Sequence, residues 1–205
     1  MYIKTDFRDI CQLNVSELAK QVSQLSDDEW YADAERQETF SIHKATQAIR
    51  LVDDIEPGTV KAKVHPLYAE FKQHVSPVLG AIKRNIDQRV NVKKLEKTYG
   101  KSRFVRVILA RLNDGGEIPP HNDTGPSLMY VHRVHCPLIT NSDCEFYVGE
   151  SVRKLAVGGL VEINNRRKHA VKNNGSEKRV HLIADYYVPG ERIIDIDGTT
   201  HICKL

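Results

Sequence analysis

The sequence predicts a mainly β protein, an antiparallel sandwich or jelly roll flanked by helices from its N-terminal part. Three observations carry this. From Arg103 onward, short runs rich in β-branched and apolar residues alternate with turn signals such as Asn113-Asp114-Gly115-Gly116, Asn141-Ser142-Asp143 and Asn173-Asn174-Gly175. Helical spacing of apolar residues is confined to the part before residue 100 or so. The chain has 205 residues and is 40% hydrophobic, enough to bury one core and too apolar for disorder. Residues 1–100 therefore read as a helix-rich part packing on the core, 101–190 as the β core and 191–205 as a C-terminal tail, all within one domain.

Residues 14–25 place Val15, Leu18, Ala19, Val22 and Leu25 at helical spacing, with Asn14 or Ser16 able to cap the start. Asp27-Asp28 interrupts that pattern. Residues 39–51 read as a strand pair or one interrupted strand, and Glu56-Pro57-Gly58 as a turn. The longest helical pattern covers 66–89, with Pro66 at a first helical position and Pro77 predicting a kink or break at Ser76. The lysines of residues 93–97 read as solvated surface. Strands are expected at 103–112, 129–139, 144–148, 160–163 and 179–188, with turns at Gly149-Glu150 and Gly158-Gly159 among those between them.

Composition excludes several classes of function. A formal net charge of +3 with no basic stripe argues against nucleic acid. Cys11, Cys136, Cys144 and Cys203 lack CxxC spacing, which argues against a structural zinc site. Lys4, Asp6, Arg8 and Asp9 argue against a secretory h-region within Met1 to Leu13, and no apolar run approaches the length of a membrane span. A cytoplasmic, reduced protein is expected.

The chemistry concentrates in His121-Asn122-Asp123, His169 and Arg179. In an extended segment, residues i and i+2 share a face, so His121 and Asp123 project together and Asn122 points away. A second histidine from a neighbouring strand completes two His and one carboxylate on one side of a metal. That is the facial triad of non-haem Fe(II) oxygenases, with positions left open for O2 and a chelating cosubstrate. Taken alone, a His-x-Asp pair is also what a solvated turn shows. Arg179 adds weight, because it begins an otherwise apolar strand and a guanidinium is the best partner for a buried carboxylate such as that of 2-oxoglutarate. Arg179 and His181 share one strand face, and Arg133 and His135 another; each pair reads either as anion donors or as rim residues with their charge in water. His43, His65, His74, His132 and His201 show no partner pattern and receive no role.

The stretches GGEIPPHND, RVHCPLITN, GGLVEINN, HAVKNNG and RVHLIAD follow in order between Arg111 and Asp185. Together they resemble the aspartyl/asparaginyl β-hydroxylase family of Fe(II)- and 2-oxoglutarate-dependent dioxygenases; residues 36–46, RQETFSIHKAT, are similar to its N-terminal part more weakly. The resemblance implies a double-stranded β-helix, a cupin-like jelly roll. It implies that His121, Asp123 and His169 ligate iron and that Arg133, His135 and Arg179 hold the carboxylates of 2-oxoglutarate. His181 does not come from that pattern and rests on its shared face with Arg179. Animal members lack the carboxylate ligand; Asp123 completes the triad here and favours hydroxylation, since a halogenase needs that position for halide. Animal members also carry acidic residues before the second histidine, where this chain has Arg166-Arg167-Lys168. That run reads either as a solvated turn or as a contact for an anionic substrate, and it puts the animal enzymes' protein substrates in doubt.

The expected function is hydroxylation of an unactivated C–H, with release of succinate and CO2. A free amino acid or derivative is favoured as the small-molecule substrate, since no extra module for docking a protein is evident. The alternatives are a hydroxylase of Asp, Asn or other side chains in peptides, and a cupin-like metal-binding module with different or no catalysis. Oligomeric state is not expected from any feature of the sequence.

Overall fold

A computed structural model of the chain describes residues 5–32, 45–54, 60–124, 126–194 and 198–203. It opens with strand β1 (Phe7–Gln12), helices α1 (Ser16–Ser23) and α2 (Asp27–Tyr31), and strands β2 (Thr46–Asp54) and β3 (Ala62–Val64). Helices α3 (Tyr68–Arg89) and α4 (Val92–Tyr99) follow. Then come β4 (Arg103–Leu112), β5 (Glu117–His121), the short helix α5 (Pro126–Met129), β6 (Val131–Ile139), β7 (Cys144–Val148) and β8 (Ser151–Arg153). The chain continues through β9 (Gly159–Ile163), β10 (His169–Asn173), β11 (Arg179–Tyr187), β12 (Arg192–Ile194) and β13 (Thr200–Ile202).

Among the described residues, the strands form a seven-stranded antiparallel sheet in the order β1-β9-β6-β11-β4-β2-β3 and a four-stranded sheet in the order β5-β10-β7-β8. β12 and β13 pair separately as a hairpin. Two antiparallel sheets built from short strands are the mainly β jelly roll that the turn spacing predicts. Alternation along each strand decides what faces what. On β11, Val180, Leu182 and Ala184 join the larger core cluster with Leu109 of β4 and Val134 of β6. Phe71, Val75, Ile82 and Ile86 of α3, with Leu18 and Val22 of α1, cover that outer face. The other face of the large sheet meets the small one through Phe7, Leu112, Phe146, Val161, Ile163 and Val171.

Several local readings are corrected. Pro77 does not break the helix; α3 runs through it from Tyr68 to Arg89. One lost backbone bond is outweighed by a stripe of side chains buried on both sides of the proline, Phe71 and Val75 before it and Val78, Leu79 and Ile82 after it. Pro66 lies just before α3 instead of at its first position, in a turn where Ala69 N–H donates to the Pro66 carbonyl. Asp27 and Asp28 begin α2 instead of merely interrupting a helix, because Ser26 and Glu29 form a reciprocal capping box. Asn14 accepts from Ser16 N–H, but the residue in the capping position of α1 is Val15. The lysines of residues 93–97 are exposed as expected, on the helix α4. The N-terminal part also supplies β1, β2 and β3 to the large sheet, so it is more than a helical cover. Residues 39–44, the turn at residues 56–58 and most of residues 36–46 lie outside the described residues.

The turns behave as their residues require. Gly149 takes φ +56° between β7 and β8, a conformation open to glycine in a two-residue hairpin. Asn141 Oδ1 accepts from Asp143 N–H at 2.9 Å and closes the turn before β7.

His132 has a partner pattern that its sequence neighbours conceal. It is buried on β6 with Nδ1 2.6 Å from Glu162 of β9 and Nε2 2.9 Å from Glu191. Arg89 of α3 also reaches Glu162, at 2.7 Å. Burial alone would lower the imidazole, but the Glu191 and Glu162 carboxylates outweigh it and raise His132 to about 9. A raised folded-state value stabilises the fold fully below about pH 6.5 and loses that contribution as pH rises through about 9. Urea unfolding of the native chain should therefore show stability falling over that window, with a flatter profile for His132→Gln.

Candidate active site

The sheets enclose a cavity. His121, Asp123 and His169 line it from the small-sheet side, and Arg133, His135 and Arg179 from the large sheet. Ile118, Phe146, Val171 and Ile183 supply apolar wall. The six residues expected to form the metal and cosubstrate sites are thus brought together from separate strands.

His169 is the cross-strand partner of His121 in the pairing of β10 with β5, and the two ring centroids lie 4.3 Å apart. Asp123 follows two residues after β5 ends. One ligand atom from each of the three lies within 4.8 Å of the others, and His169 Nε2 is 3.8 Å from Asp123 Oδ2. Asn122 is exposed, as alternation requires. Each histidine is anchored through Nδ1: His121 to the Pro119 carbonyl at 2.8 Å and His169 to the Arg167 carbonyl at 3.0 Å. A carbonyl only accepts, so each Nδ1 carries a proton, and Nε2 is the ring nitrogen that can turn to a metal. Burial holds His169 below its ordinary value even beside Asp123, favouring the neutral ring that binds metals. Burial would raise Asp123, but Arg133 and the two histidines outweigh it and keep the carboxyl below its ordinary range. Two imidazole nitrogens and one carboxylate oxygen are a donor set that fits Fe(II).

Arg133 is held firmly. Its Nε and Nη2 donate to Asp185 at 2.8 and 2.7 Å, and its Nη1 donates to Asp123. Asp185 is fully buried and stands opposite Arg133 on β6 and Arg106 on β4. Its Oδ2 also accepts from Arg106 Nη1 at 2.8 Å. Arg106 Nη2 then donates to Asp54 at 2.7 Å, and Asp54 accepts from Ser127 Oγ at 2.8 Å. The ion-pair chain therefore reaches from Asp123 to the short helix α5 that follows it. Burial alone would lower Arg133, but Asp123 and Asp185 raise it.

Arg179 is different. It is 2% exposed, and among the described residues no carboxylate forms an ion pair with it. Its Nη2 donates to His181 Nδ1 at 2.6 Å, and its Nε is buried without a partner. His135 Nε2 and His181 Nε2 are also buried and unpartnered. Burial lowers Arg179 to about 10, which leaves it cationic at neutral pH. Burial and then Arg179 push both histidines well below the ordinary imidazole range, so both are neutral. An uncompensated buried cation costs several kcal/mol. Beside a cavity, it marks a place for an anion.

The family model for aspartyl/asparaginyl β-hydroxylases matches residues 85–189, just over half of the chain. The chain belongs to this family. Two solved structures share its fold. One is an oxidoreductase of the 2OG-Fe(II) oxygenase family from Burkholderia pseudomallei, 17% identical, covering 86% of this chain and 91% of that one with a TM-score of 0.52. The other is the viral collagen prolyl hydroxylase of Paramecium Bursaria Chlorella virus-1 with 2OG, 13% identical, covering 89% and 96% with a TM-score of 0.52. No curated protein matches the chain. The enzyme is therefore a hydroxylase of the Fe(II)- and 2-oxoglutarate-dependent class, on the jelly roll its turns predict.

The remaining candidates lie away from the cavity lining. His181 sits behind Arg179 and His135. Arg166 Nη2 donates to the Ile194 carbonyl at 3.0 Å, Arg167 pairs with Asp6, and Lys168 is exposed. Arg106 and Asp185 carry no role in the sequence reading, yet both bear the signal that singled out Arg179: a charge inside an apolar strand. All four cysteines are free. Among the described residues, no helix is long and apolar enough to cross a membrane.

The geometry makes a direct prediction about metal binding. Anaerobic equilibrium dialysis should find one Fe(II) or Mn(II) per chain, with the affinity lost in His121→Ala and kept in Asn122→Ala.

Proposed function

We propose that this enzyme hydroxylates an unactivated C–H of a free amino acid or amino-acid derivative, with His121, Asp123 and His169 holding Fe(II). Arg179 and His135 receive one carboxylate of 2-oxoglutarate. Arg133, expected to hold the other carboxylate, has its guanidinium engaged by Asp185 and Asp123, and its part is to fix Asp123 beside the metal end. The observation that carries this reading is Arg179, a buried guanidinium without a carboxylate partner among the described residues, at the wall of a cavity whose opposite side holds the triad. A dicarboxylate chelating the metal at one end and pairing with Arg179 at the other satisfies both.

When bound, Fe(II) and 2-oxoglutarate supply the oxidising chemistry, in which O2 is consumed, succinate and CO2 are released and one oxygen atom enters the substrate. The protein's part is binding and aim. Pro119 and Arg167 carbonyls orient the two imidazoles; Asp185 orients Arg133; the apolar wall of Ile118, Val171 and Ile183 keeps water from the centre. No side chain needs to act as a general base. A narrow cavity with charged and apolar walls supports a small polar substrate. The basic run at residues 166–168 remains a candidate contact for an anionic substrate only through exposed Lys168, since Arg166 and Arg167 are engaged elsewhere.

His169→Ala should abolish metal retention and succinate release together. Arg179→Ala should keep metal but raise the dissociation constant for 2-oxoglutarate on the order of a hundredfold, as truncating one side of a buried charge pair does. Unchanged cosubstrate affinity in Arg179→Ala would overturn the pocket assignment. A panel of amino acids, derivatives and short peptides, read by succinate release and mass gain of one oxygen, identifies the substrate class. Turnover confined to peptides would replace the free-amino-acid reading. Stoichiometric metal without succinate from any substrate would favour a binding module.

A further inference from the structure

Arg106, Arg133 and Arg179 lie on the inward face of the large sheet, and they are held in two different ways. Arg106 and Arg133 are fixed by aspartates: Asp54 and Asp185 for the first, Asp185 and Asp123 for the second. Those carboxylates orient the guanidiniums and neutralise them at once. Arg179 is oriented by a neutral group, the imidazole of His181, at 2.6 Å. Guanidinium N–H can only donate, so His181 Nδ1 must be the acceptor and its proton must sit on Nε2.

The surroundings of His181 fit that assignment. Its strand neighbours are Ala110 on β4 and Pro137 on β6, neither of which offers a competing polar side chain. Phe146 of β7 stacks parallel to it at 6.5 Å between centroids, 7° from coplanar, and also lies 5.9 Å from the Arg179 guanidinium. His135 Nδ1 is 3.4 Å from the same His181 Nδ1. The imidazole is thus locked by packing, with its lone pair directed at Arg179.

We propose that His181 is a positioning residue that aims Arg179 into the cavity without neutralising it, and so sets the enzyme's affinity for its dicarboxylate cosubstrate. This rests on the assignment of Arg179 to the 2-oxoglutarate pocket, and neither the family pattern nor the facial triad assigns His181 such a role. The physical case is one of charge. A long, flexible arginine needs an acceptor to fix its direction. A carboxylate acceptor would fill the place the cosubstrate must take in charge terms. A neutral imidazole fixes the direction and leaves the full positive charge for the incoming anion.

The test is calorimetric binding of 2-oxoglutarate to the Mn(II)-loaded full chain, which needs no turnover. His181→Leu removes the acceptor at similar volume and should weaken binding about tenfold, the worth of one charge-assisted hydrogen bond, with Mn(II) affinity unchanged. His181→Gln restores a neutral acceptor and should recover most of that loss. In steady-state assays of the Fe(II) enzyme, the same loss should appear in the KM for 2-oxoglutarate more than in kcat. Native affinity in His181→Leu overturns the proposal, as does a His181→Gln variant that binds no better than His181→Leu while thermal unfolding shows both folded. Arg179→Ala, run alongside, separates the two levels: if it too binds normally, the pocket assignment has failed; if it alone is impaired, only the role of His181 has.

Discussion

The alternation of side chains along β11 is the constraint on which the rest of the structure depends. One face of the strand offers Val180, Leu182 and Ala184 to the helices, and the other offers Arg179, His181 and Asp185 to the space between the sheets. A slip of one residue would exchange the faces, putting charges into the helical core and aliphatics into the cavity. Register is therefore specified from both sides, by apolar burial on the outside and by ion pairing on the inside. β4 and β6 are tied to the same register, because Asp185 stands opposite both Arg106 and Arg133.

That arrangement couples folding to chemistry. The pair formed by Asp185 with Arg133 is part of what aligns three strands, and it also places a guanidinium beside the carboxylate of the triad. The same chain of ion pairs continues through Arg106 and Asp54 to Ser127, tying the segment after Asp123 to β2. β2 lies outside the stretch matched by the family model, so the N-terminal part takes part in supporting the site. Within this well-compensated interior, Arg179 stands out because, among the described residues, its charge has no carboxylate against it. His132, also buried, is balanced between Glu162 and Glu191. The contrast separates arginines that hold the structure from the one proposed to bind an anion.

Much of the site was legible because its parts sit in short, patterned stretches. His121 and Asp123 are two residues apart in an extended segment, and Arg179 is conspicuous in RVHLIAD. Arg106 in RFVRVILARL, Glu162 in GGLVEINN and Asp185 carry the same mark, yet a lone charge in an apolar strand does not name its partner. Their partners lie on other strands, at separations that depend on sheet order. His132 shows the limit well: nothing near it in sequence is acidic, and both glutamates reach it only through folding. Pro77 shows the converse, a local signal for a helix break that burial on either side of it overrides. The capping box of Ser26 and Glu29 was readable as S-x-x-E, but the acidic pair between them obscured it.

Local chemistry alone settles which residues can be ligands, where turns fall and which strands alternate, because each depends on neighbours within a few positions. It is enough to recognise a mainly β oxygenase and to nominate the three residues proposed to hold its metal. Tertiary structure decides which charges are neutralised. Arg133 and Arg179 begin similar Arg-x-His motifs, and nothing in either motif distinguishes them. Sheet order puts aspartates against the first and a neutral histidine against the second, and in a buried, low-dielectric space that difference decides which charge is compensated.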